Sequence, residues 1–407
     1  MHLFPRDRLD RSDPRDRSHC RRIQAAVDAW VGYRPIYAVL SILFTLALVG
    51  LGLWRRGIRH GLRVTLRQGL CILLFSGLSV GGSLYLARDK PIEAIHFVEY
   101  GVLALLWLRW ALYAHPNPGA FPIALLATVL TGVLDELWQW VVPRRYFDVR
   151  DIAINAVGGL LALGLIRYGL TPTYLRPACS SRSRLAVRRL WAGLMALAFF
   201  CATATPAALA RLPWLGTAAA AWEPIVEYGH LHRDPAIGSW KSRFSAPDLA
   251  RTDAARAADV AAILRDNAHL SYDGFLRVFS PASDPFTHEF RVRLFRRDNY
   301  RLGRKKYLES DPARYRLHCR VALMEQAILE KAFPETLAAA QAMSVPIPAE
   351  AFAEMRANAD LTPDYHSPVS SQLIHRFSME EVLAFCLLIG SGVWLALGRV
   401  PTEDPIP

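Results

Sequence analysis

Polar and ionisable residues gather in one otherwise apolar stretch of this sequence. His96 and Glu99 are three positions apart, so a helix would place them on one face. Asp148, Asp151 and Asn155 follow at intervals of three and four, which again marks one helix face. Charged side chains are rare inside apolar helices, because each costs about 3 kcal/mol near the bilayer centre. Their grouping therefore indicates a polar site within a membrane region.

These residue types could carry out acid–base catalysis or bind a polar headgroup. A half-buried carboxylate can have a raised pKa and exchange a proton near neutral pH, and an imidazole titrates in the same range. An arginine holds phosphate or carboxylate groups through paired hydrogen bonds. The candidate catalytic residues are Glu136, Asp151 and His96, and the candidate substrate-binding residues are Glu99, Gln139, Arg145, Asp148 and Asn155.

Two other interpretations of the same residues stay open. An interhelical ion-pair network would fix the helices to one another without any ligand. A metal held by His96, Glu99, Glu136 and Asp151 is a second alternative, but oxygen-rich ligand sets with one histidine are not distinctive, and we expect no metal. We also expect no cofactor, because the sequence has no P-loop and no GxGxxG pattern.

Apolar runs of about the length needed to cross a bilayer divide the chain. A helix of roughly 20 apolar residues spans a hydrocarbon core of about 30 Å, and in lipid every backbone amide must be satisfied within its own segment. The predicted spans are 36–54, 68–87, 93–113, 120–142, 151–170, 190–210 and 381–397. The predicted fold is therefore an all-α polytopic protein of the cell membrane with about seven transmembrane helices.

The distribution of positive charge predicts the orientation of these helices. Basic short loops mark the cytoplasmic side, and in this chain of net charge +12 the most basic linkers are 55–67 and 167–189. They are an even number of spans apart, so both can be cytoplasmic, which places the polar segment 211–379 outside the cell. The expected organisation is a disordered charged tail (1–35), an extra helix with a basic linker (36–67), a membrane bundle (68–170), a cytoplasmic linker with the sixth helix (171–210), an extracytoplasmic domain (211–379), and a last helix with a tail (380–407).

The extracytoplasmic domain is expected to be mainly helical. Apolar residues recur at helical intervals over 246–267, after a Ser-Ala-Pro-Asp start, and again over 312–333. The segment FRVRLF at 290–295 alternates, and fits a short strand or part of a helix.

Two charged patterns in this domain have a functional and a plain interpretation. His230, His232 and Asp234 would lie on one face of a strand, but such a triplet is weak evidence for a metal site and is expected to be ordinary surface. Segment 291–306 carries eight basic groups and one acid. We expect a solvated basic face there, with contact to anionic lipid headgroups or envelope polymers as the alternative.

The residues around the polar constellation resemble the VanZ-like family of membrane proteins. The resemblance rests on Asp89-Lys90, His96, Glu136-x-x-Gln139, Pro143, Arg145, Asp148, Asp151, Asn155 and Gly158-Gly159. The spacings of six from Gln139 to Arg145, then three and six to the two aspartates, match the family pattern and cover about residues 68–170. The chain departs from that pattern at Asp148, where the family often has a small hydroxyl residue, and at the extra acid Asp135.

The resemblance implies a role in the cell envelope, because the family is associated with resistance to teicoplanin-type glycopeptide antibiotics. The first hypothesis is a site at the outer membrane surface that binds a lipid-linked or surface substrate. The second is a membrane-embedded enzyme that modifies an envelope lipid or glycan, and the third is a membrane anchor for a binding ectodomain. The expected partners are membrane lipids and a lipid-linked glycan or envelope polymer, and we expect no nucleic acid.

Overall fold

The computed structural model describes residues 36–60, 64–89, 91–141, 147–170, 179–209, 211, 225–340, 347–362, 364–369, 373–374 and 376–399. The predicted disordered tail (1–35) and Arg145 lie outside these residues. The chain divides into two compact units. The first comprises Met1–Asp135, Asp148–Leu194 and Ala396–Pro407, and the second comprises Glu136–Phe147 and Met195–Leu395.

Long helices build the first unit. They are α1 (Ile36–His60), α2 (Leu66–Asp89), a 3₁₀ turn (Pro91–Ala94), α3 (Ile95–Ala114), α4 (Ala120–Val141), α5 (Val149–Gly164) with a π-helical continuation (Leu165–Leu170), and α6 (Ser181–Thr203). Helix α4 leaves the first unit after Asp135 and α6 leaves it after Leu194, so the last turns of both belong to the second unit.

Five helices in the described part of the chain are long and apolar enough to cross a membrane. They are Leu66–Ala87, Ile95–Ala114, Ala120–Val141, Val149–Leu170 and Ser181–Thr203. The apolar stretch Val39–Arg55 within α1 is shorter. The chain is thus a mostly helical, multi-pass membrane protein, and that its first and seventh apolar runs also span remains a prediction.

One predicted boundary differs from the structure. Helix α6 begins at Ser181, nine residues before the apolar run that starts at Leu190, and so includes part of the predicted basic linker. A helix satisfies its backbone groups whether its side chains are apolar or charged, and arginine side chains can reach from a helix end towards water.

Paired glycines let α5 approach its neighbours closely. A Cβ on Gly158 would lie 3.1 Å from the Cα of Phe97 in α3, and a Cβ on Gly159 would lie 3.0 Å from the side chain of Thr128 in α4. Both distances are shorter than ordinary carbon–carbon contacts, so larger residues would push the helices apart. The close approach of α5 to α3 and α4 therefore depends on Gly158 and Gly159.

The second unit combines helices with short strands. Its helices are α7 (Pro206–Leu209), α8 (Ala246–Asp266), α9 (Tyr272–Val278), α10 (Pro285–Gly303) with a 3₁₀ turn (Arg304–Tyr307), α11 (Pro312–Ala332), α12 (Pro334–Ala340), α13 (Ala349–Asn358) and α14 (Met379–Arg399), which leaves the unit after Leu395. Its strands are β1 (Glu227–Tyr228), β2 (His230–Asp234), β3 (Gly238–Ser242), β4 (Tyr365–His366) and β5 (Leu373–Ile374).

Capping and periodicity fix the main helices of this unit as the sequence predicts. Ser245 caps α8, and Asp284 and Asp311 cap α10 and α11, each accepting a hydrogen bond from a backbone N–H in the first turn. The FRVRLF segment lies within α10, which resolves its ambiguity in favour of helix. Phe286 and Phe290 of α10 are buried against Ile328 of α11 in one apolar core.

Two small sheets complete the unit. β2 and β3 form an antiparallel hairpin, and β4 pairs in parallel with β3, with Ser239 opposite His366. β1 and β5 pair in parallel as a separate two-stranded sheet. Because β4 and β5 follow the hairpin by more than 120 residues, no local sequence pattern reveals these pairings.

The prediction of a solvated basic face over 291–306 is wrong for half of its basic residues. The side chains of Arg293, Arg297, Arg301 and Arg304 are buried, at 0%, 2%, 8% and 3% exposure. They recur at intervals of four, four and three along α10 and the turn after it, so they share one helix face. Arg297 and Arg301 pair with Asp298 of α10 itself, whereas Arg293 and Arg304 also reach the acids Glu325 and Glu354 on later helices, which the sequence pattern alone does not reveal.

Arg293 lies at the centre of this buried network. Its guanidinium lies 3.0 Å from Glu289 Oε1 and 3.6 Å from Glu325 Oε2, and all three side chains are fully buried. Glu325 in turn accepts hydrogen bonds from Tyr365 (2.7 Å) and Ser367 (2.6 Å). The network therefore ties α10 and α11 to the β4 strand.

A second buried arginine, Arg304, forms a hydrogen bond at the C-terminal end of α10. Arg304 donates to Glu354 of α13 at 2.8 Å, and Tyr315 of α11 donates to the same carboxylate at 2.6 Å. These two hydrogen bonds, that from Arg304 first, lower the pKa of Glu354. The pair thus fixes α13 to α11 and to the end of α10.

Candidate functional site

Helix α3 presents the first pair of predicted site residues. His96 Nδ1 lies 3.5 Å from Glu99 Oε2, one helical turn apart, and the ring of His96 lies 6.2 Å from that of Tyr100. The His96 side chain is 20% exposed and that of Glu99 is 56% exposed. The structure therefore brings together the imidazole and carboxylate that the spacing predicts.

Tyr100 connects α3 to α4. Its hydroxyl donates to Asp135 Oδ2 at 3.3 Å, while its ring is buried. Asp135 is the extra acid at which the sequence departs from the family pattern. Its carboxylate is hydrogen-bonded to Tyr100 within the first unit.

Asn155 lies fully buried beside Tyr100. A Cβ on Gly132 of α4 would lie 3.2 Å from the Tyr100 ring and 3.6 Å from Asn155 Nδ2, so the two side chains flank that glycine. Asn155 is 0% exposed, and neither its amide nitrogen nor its amide oxygen has a hydrogen-bond partner among the residues that the structure describes. Three helices thus enclose a polar group whose hydrogen-bonding capacity is unused within the described chain.

Arg150 forms an ion pair that the sequence analysis missed. Its guanidinium donates to Glu93 Oε1 at 2.9 Å and lies 2.7 Å from Oε2, which ties the start of α5 to the 3₁₀ turn before α3. Glu93 is 6% exposed. The sequence shows an acid at the start of one predicted span and an arginine just before another. Their separation along the chain gives no indication that the two form a pair.

Asp148 and Asp151 lie at the start of α5. Asp148 is the N-cap of this helix and accepts a hydrogen bond from Arg150 N at 2.8 Å, which satisfies one of the open amides of the first turn. Asp151 lies in that first turn, where a carboxylate interacts favourably with the helix dipole. Both residues therefore have a helix-stabilising role whatever else they bind.

Glu136 and Gln139 belong to the segment of α4 that is part of the second unit. Gln139 Nε2 donates to Glu136 Oε1 at 3.1 Å, and Glu136 is 1% exposed. The predicted one-turn pairing of these two residues is thus present. Arg145, the predicted cationic member of the site, lies outside the described residues.

A polar cluster that the sequence analysis did not single out lies elsewhere in the first unit. The hydroxyl of Ser183 lies 3.0 Å from His115 Nδ1 and accepts from Asn117 Nδ2 at 2.9 Å, and all three side chains are buried. It links the connection between α3 and α4 to the first turn of α6. Ser183 is more than 60 residues from both His115 and Asn117 along the chain, so no spacing rule identifies the cluster.

Helix α2 contains Gly77-Leu78-Ser79-Val80-Gly81, which fits the GxSxG pattern of serine hydrolases. That pattern is functional where a sharp strand-to-helix turn exposes the serine. Here it lies in the middle of a long helix, and the Ser79 hydroxyl lies 3.1 Å from that of Thr45. Ser79 is therefore not presented as a nucleophile.

The described residues contain no group of three histidine, cysteine or acidic side chains that could hold a metal ion. The predicted HxHxD strand exists as β2, but two of its three side chains have other partners. His232 Nε2 lies 2.9 Å from the carbonyl oxygen of Phe244, and Asp234 accepts from Ala236 N at 2.8 Å. The triplet is therefore part of the fold of the hairpin.

Comparison with known families identifies one region of the chain. The model of the VanZ/LLP1 family matches residues 71–170. This region includes most of α2 and all of α3, α4 and α5, and hence every candidate site residue from His96 to Asn155. No curated protein and no solved structure matches the chain.

Proposed function

Since residues 71–170 form a VanZ-like region, we propose that this region binds the polar part of a lipid-linked or surface substrate of the cell envelope. The residues that we assign to binding are Asn155, Tyr100, Asp135, His96 and Glu99, with Asp148 as a further candidate. The observation that carries this proposal is the fully buried amide of Asn155, which has no partner among the described residues.

A buried amide such as that of Asn155 carries a free-energy cost when it has no hydrogen-bond partner. Leaving a buried donor or acceptor without a partner costs about 1–3 kcal/mol, whereas an apolar residue of the same shape would avoid that cost. Packing between the glycine-lined helices α3, α4 and α5 does not require an amide at this position. An amide that offers one acceptor and two donor hydrogens is suited to a ligand group that both donates and accepts.

The neighbouring groups favour a hydroxyl-rich ligand. Glu99 and Asp135 are acceptors when ionised, and Arg150, the cation nearest to Asn155 in the sequence, is already paired with Glu93. Ionised carboxylates accept hydrogen bonds from sugar hydroxyls, but they repel a negatively charged phosphate. The first unit therefore favours the glycan part of a lipid-linked substrate over its phosphate.

A second candidate function is the modification of such a substrate by acid–base chemistry. It is favoured by the nearly complete burial of the Glu136 carboxylate, which holds a hydrogen bond from Gln139. Buried carboxylates hydrogen-bonded in this way are common among catalytic acids and bases. In this alternative Glu136 exchanges a proton with the substrate.

The test is the teicoplanin susceptibility of a sensitive Gram-positive host that expresses the chain. Asn155→Leu removes both polar atoms and keeps the volume. Thr131→Val is the matched control, because the Thr131 hydroxyl donates only to the carbonyl oxygen of Ala127 in its own helix. We expect protection from the parent chain and from Thr131→Val at equal membrane levels, and loss of protection with Asn155→Leu.

The other outcomes separate the alternatives. Equal protection by Asn155→Leu would contradict a binding role for this amide, and the absence of protection by the parent chain would contradict the link to glycopeptide antibiotics. Loss of protection with Glu136→Gln, at unchanged binding of the substrate, would favour the enzyme. Protection by a chain that carries both Asn155→Leu and Glu136→Gln would move the function to the segment 211–379, as the anchor hypothesis requires.

We also propose that residues 211–379 face the outside of the cell. The proposal rests on the basic linkers that flank an even number of predicted spans. Protease added to intact cells without a cell wall should cleave within this segment. Cleavage only after the membrane is opened would contradict the proposed orientation.

A further inference from the structure

The second unit contains a cleft of about 760 Å³ that the bundle site does not involve. Its floor is one face of the sheet formed by β2, β3 and β4, and its lining includes Arg233, Lys241, Ser239, His366 and Arg376. A volume of this size falls within the range of roughly 300–1,000 Å³ that is usual for small-ligand sites.

The strand register explains why these side chains share a face. Side chains alternate across a strand, and residues opposite one another in a ladder lie on the same face. Arg233 is opposite Ser239, Leu231 is opposite Lys241, and Ser239 is opposite His366. The opposite face carries Trp240, whose indole stacks on His232 and is buried in the core.

A glycine in β3 allows β4 to pair closely with it and complete this floor. Gly238 has a φ of +115°, and a Cβ there would lie 2.2 Å from the carbonyl oxygen of Tyr365. Only glycine adopts this conformation at such a short separation without strain. The close approach brings His366 beside Ser239, whose hydroxyl lies 2.5 Å from His366 Nδ1.

The buried arginine network holds this floor in place from behind. Arg293 donates to the carbonyl oxygen of Lys241 in β3. Glu325 accepts from Tyr365 and from Ser367, the residues on either side of His366. The backbone on both sides of the β3–β4 pair is thus fixed by fully buried charges, which gives the cleft a pre-organised floor.

Positive charge dominates the cleft. Arg233 and Arg376 have no ion-pair or hydrogen-bond partner among the described residues. The pKa of Lys241 is lowered by burial first and by the nearby charge of Arg376 second. Asp234 is the one acid among the described lining residues, and it already accepts from Ala236 N and lies 3.5 Å from Lys331 Nζ.

The cleft lies close to the start of the last long helix. Arg376 precedes the first residue of α14, Met379, by three positions, and three residues reach at most about 10 Å. Helix α14 starts with a capping box, in which Ser378 N donates to Glu381 and Glu381 N donates to Ser378 Oγ. If the apolar run of α14 spans the membrane as the sequence predicts, the cleft lies at the membrane surface.

We propose that this cleft binds a phosphate ester, with Arg233, Lys241 and Arg376 as its cationic contacts and Ser239 as a hydroxyl contact. Guanidinium groups match phosphate oxygens with paired, charge-assisted hydrogen bonds. A dianion among three cations also offsets the repulsion between Lys241 and Arg376. The remaining volume accommodates the organic part of the ester. Two sources share this chemistry, namely the headgroup of an anionic lipid and a soluble phosphate.

The test uses the full-length chain in dodecyl maltoside micelles, which contain no phosphate. One series receives inorganic phosphate at constant ionic strength, and the other receives micelles doped with dioleoyl phosphatidic acid, with dioleoylglycerol as the phosphate-free control. Hydrogen exchange of the β2, β3 and β4 amides, measured by mass spectrometry, reports occupancy of the cleft. The variants are Arg233→Gln with Arg376→Gln, and the matched control Arg277→Gln, which removes an exposed arginine of α9 away from the cleft.

We expect phosphate to slow exchange in the three strands of the parent chain and of Arg277→Gln. The affinity of the double variant should be lower by roughly tenfold or more for each guanidinium removed. Slowing by inorganic phosphate would show that a soluble phosphate is sufficient, and slowing by phosphatidic acid alone would identify the lipid headgroup. No slowing by either probe, or equal slowing in the double variant with α11 exchange unchanged, would overturn the proposal.

Discussion

Replacing Arg293 with methionine should strongly destabilise the second unit. The guanidinium lies 3.0 Å from Glu289 and 3.6 Å from Glu325, and all three side chains are fully buried. Methionine has a similar length and no charge, so the variant leaves two carboxylates facing one another in the interior. Removal of one partner from a buried ion pair costs about 3–5 kcal/mol, because the remaining charge is desolvated and uncompensated.

The same geometry predicts a partial rescue. Glu325→Gln keeps the acceptor for the Tyr365 hydroxyl, at present 2.7 Å away, and removes one of the two stranded charges. The double variant Arg293→Met with Glu325→Gln should therefore be more stable than Arg293→Met alone, by about 1 kcal/mol or more. A stabilising effect of Glu325→Gln in the Arg293→Met background would distinguish an electrostatic cause from a simple loss of packing.

The measurement is native-state hydrogen exchange of the α10 and α11 amides in the full-length chain in micelles, which gives an opening free energy for this unit. Arg277→Met is the control, since that arginine is exposed and should change the opening free energy by less than about 0.5 kcal/mol. A loss below about 1 kcal/mol with Arg293→Met, or a double variant less stable than the single one, would refute the reasoning.

Three further changes test other parts of the fold. Gly158→Val should force α5 away from the Phe97 backbone, 3.1 Å from its new Cβ, and lower membrane accumulation through an overpacking cost of about 1–3 kcal/mol. Gly238→Ala should separate β4 from β3 at Tyr365 and cost more than about 1 kcal/mol, measured as faster exchange of the strand amides. Acidification below pH ~6.5 should destabilise the second unit through His288, because its pKa is held well below that of the unfolded chain by burial.

The sign and window of the pH effect follow from proton linkage. Below pH ~6.5 an unfolded His288 binds a proton that the folded unit excludes, so stability falls by up to about 1.4 kcal/mol per pH unit for one proton. Asp284 and Glu354 also have lowered pKa values, but they remove stability only near pH ~4.5 and below. His288→Leu should therefore flatten the profile between pH ~6.5 and ~5.

Each of these three predictions is contradicted by a different result. Normal accumulation of Gly158→Val would mean that the α3–α5 contact is not tightly packed. Unchanged strand exchange in Gly238→Ala would mean that the backbone relaxes without strain at position 238. An unaltered pH profile in His288→Leu would assign acid sensitivity to other groups.

The sequence by itself determined the membrane helices and part of the polar site. Length and apolarity are local properties, so the runs at 68–87, 93–113 and 120–142 correspond closely to the spans Leu66–Ala87, Ile95–Ala114 and Ala120–Val141. The His96–Glu99 and Glu136–Gln139 pairs were also predictable, because helix geometry alone brings residues three apart together. The fixed intervals from Gln139 to Asn155 likewise indicated the likeness to the VanZ family, whose model matches residues 71–170.

The tertiary structure alone decided which charges are buried and what they meet. Arg293 and Arg304 look like part of a solvated basic segment in the sequence, because their partners Glu325 and Glu354 lie on later helices. The same holds for Asn155, whose burial depends on Gly132 and Tyr100 from two other helices. The cleft depends on β4, which pairs with a hairpin more than 120 residues earlier. A side chain's burial and charge compensation depend on distant partners, whereas helical periodicity depends only on near neighbours.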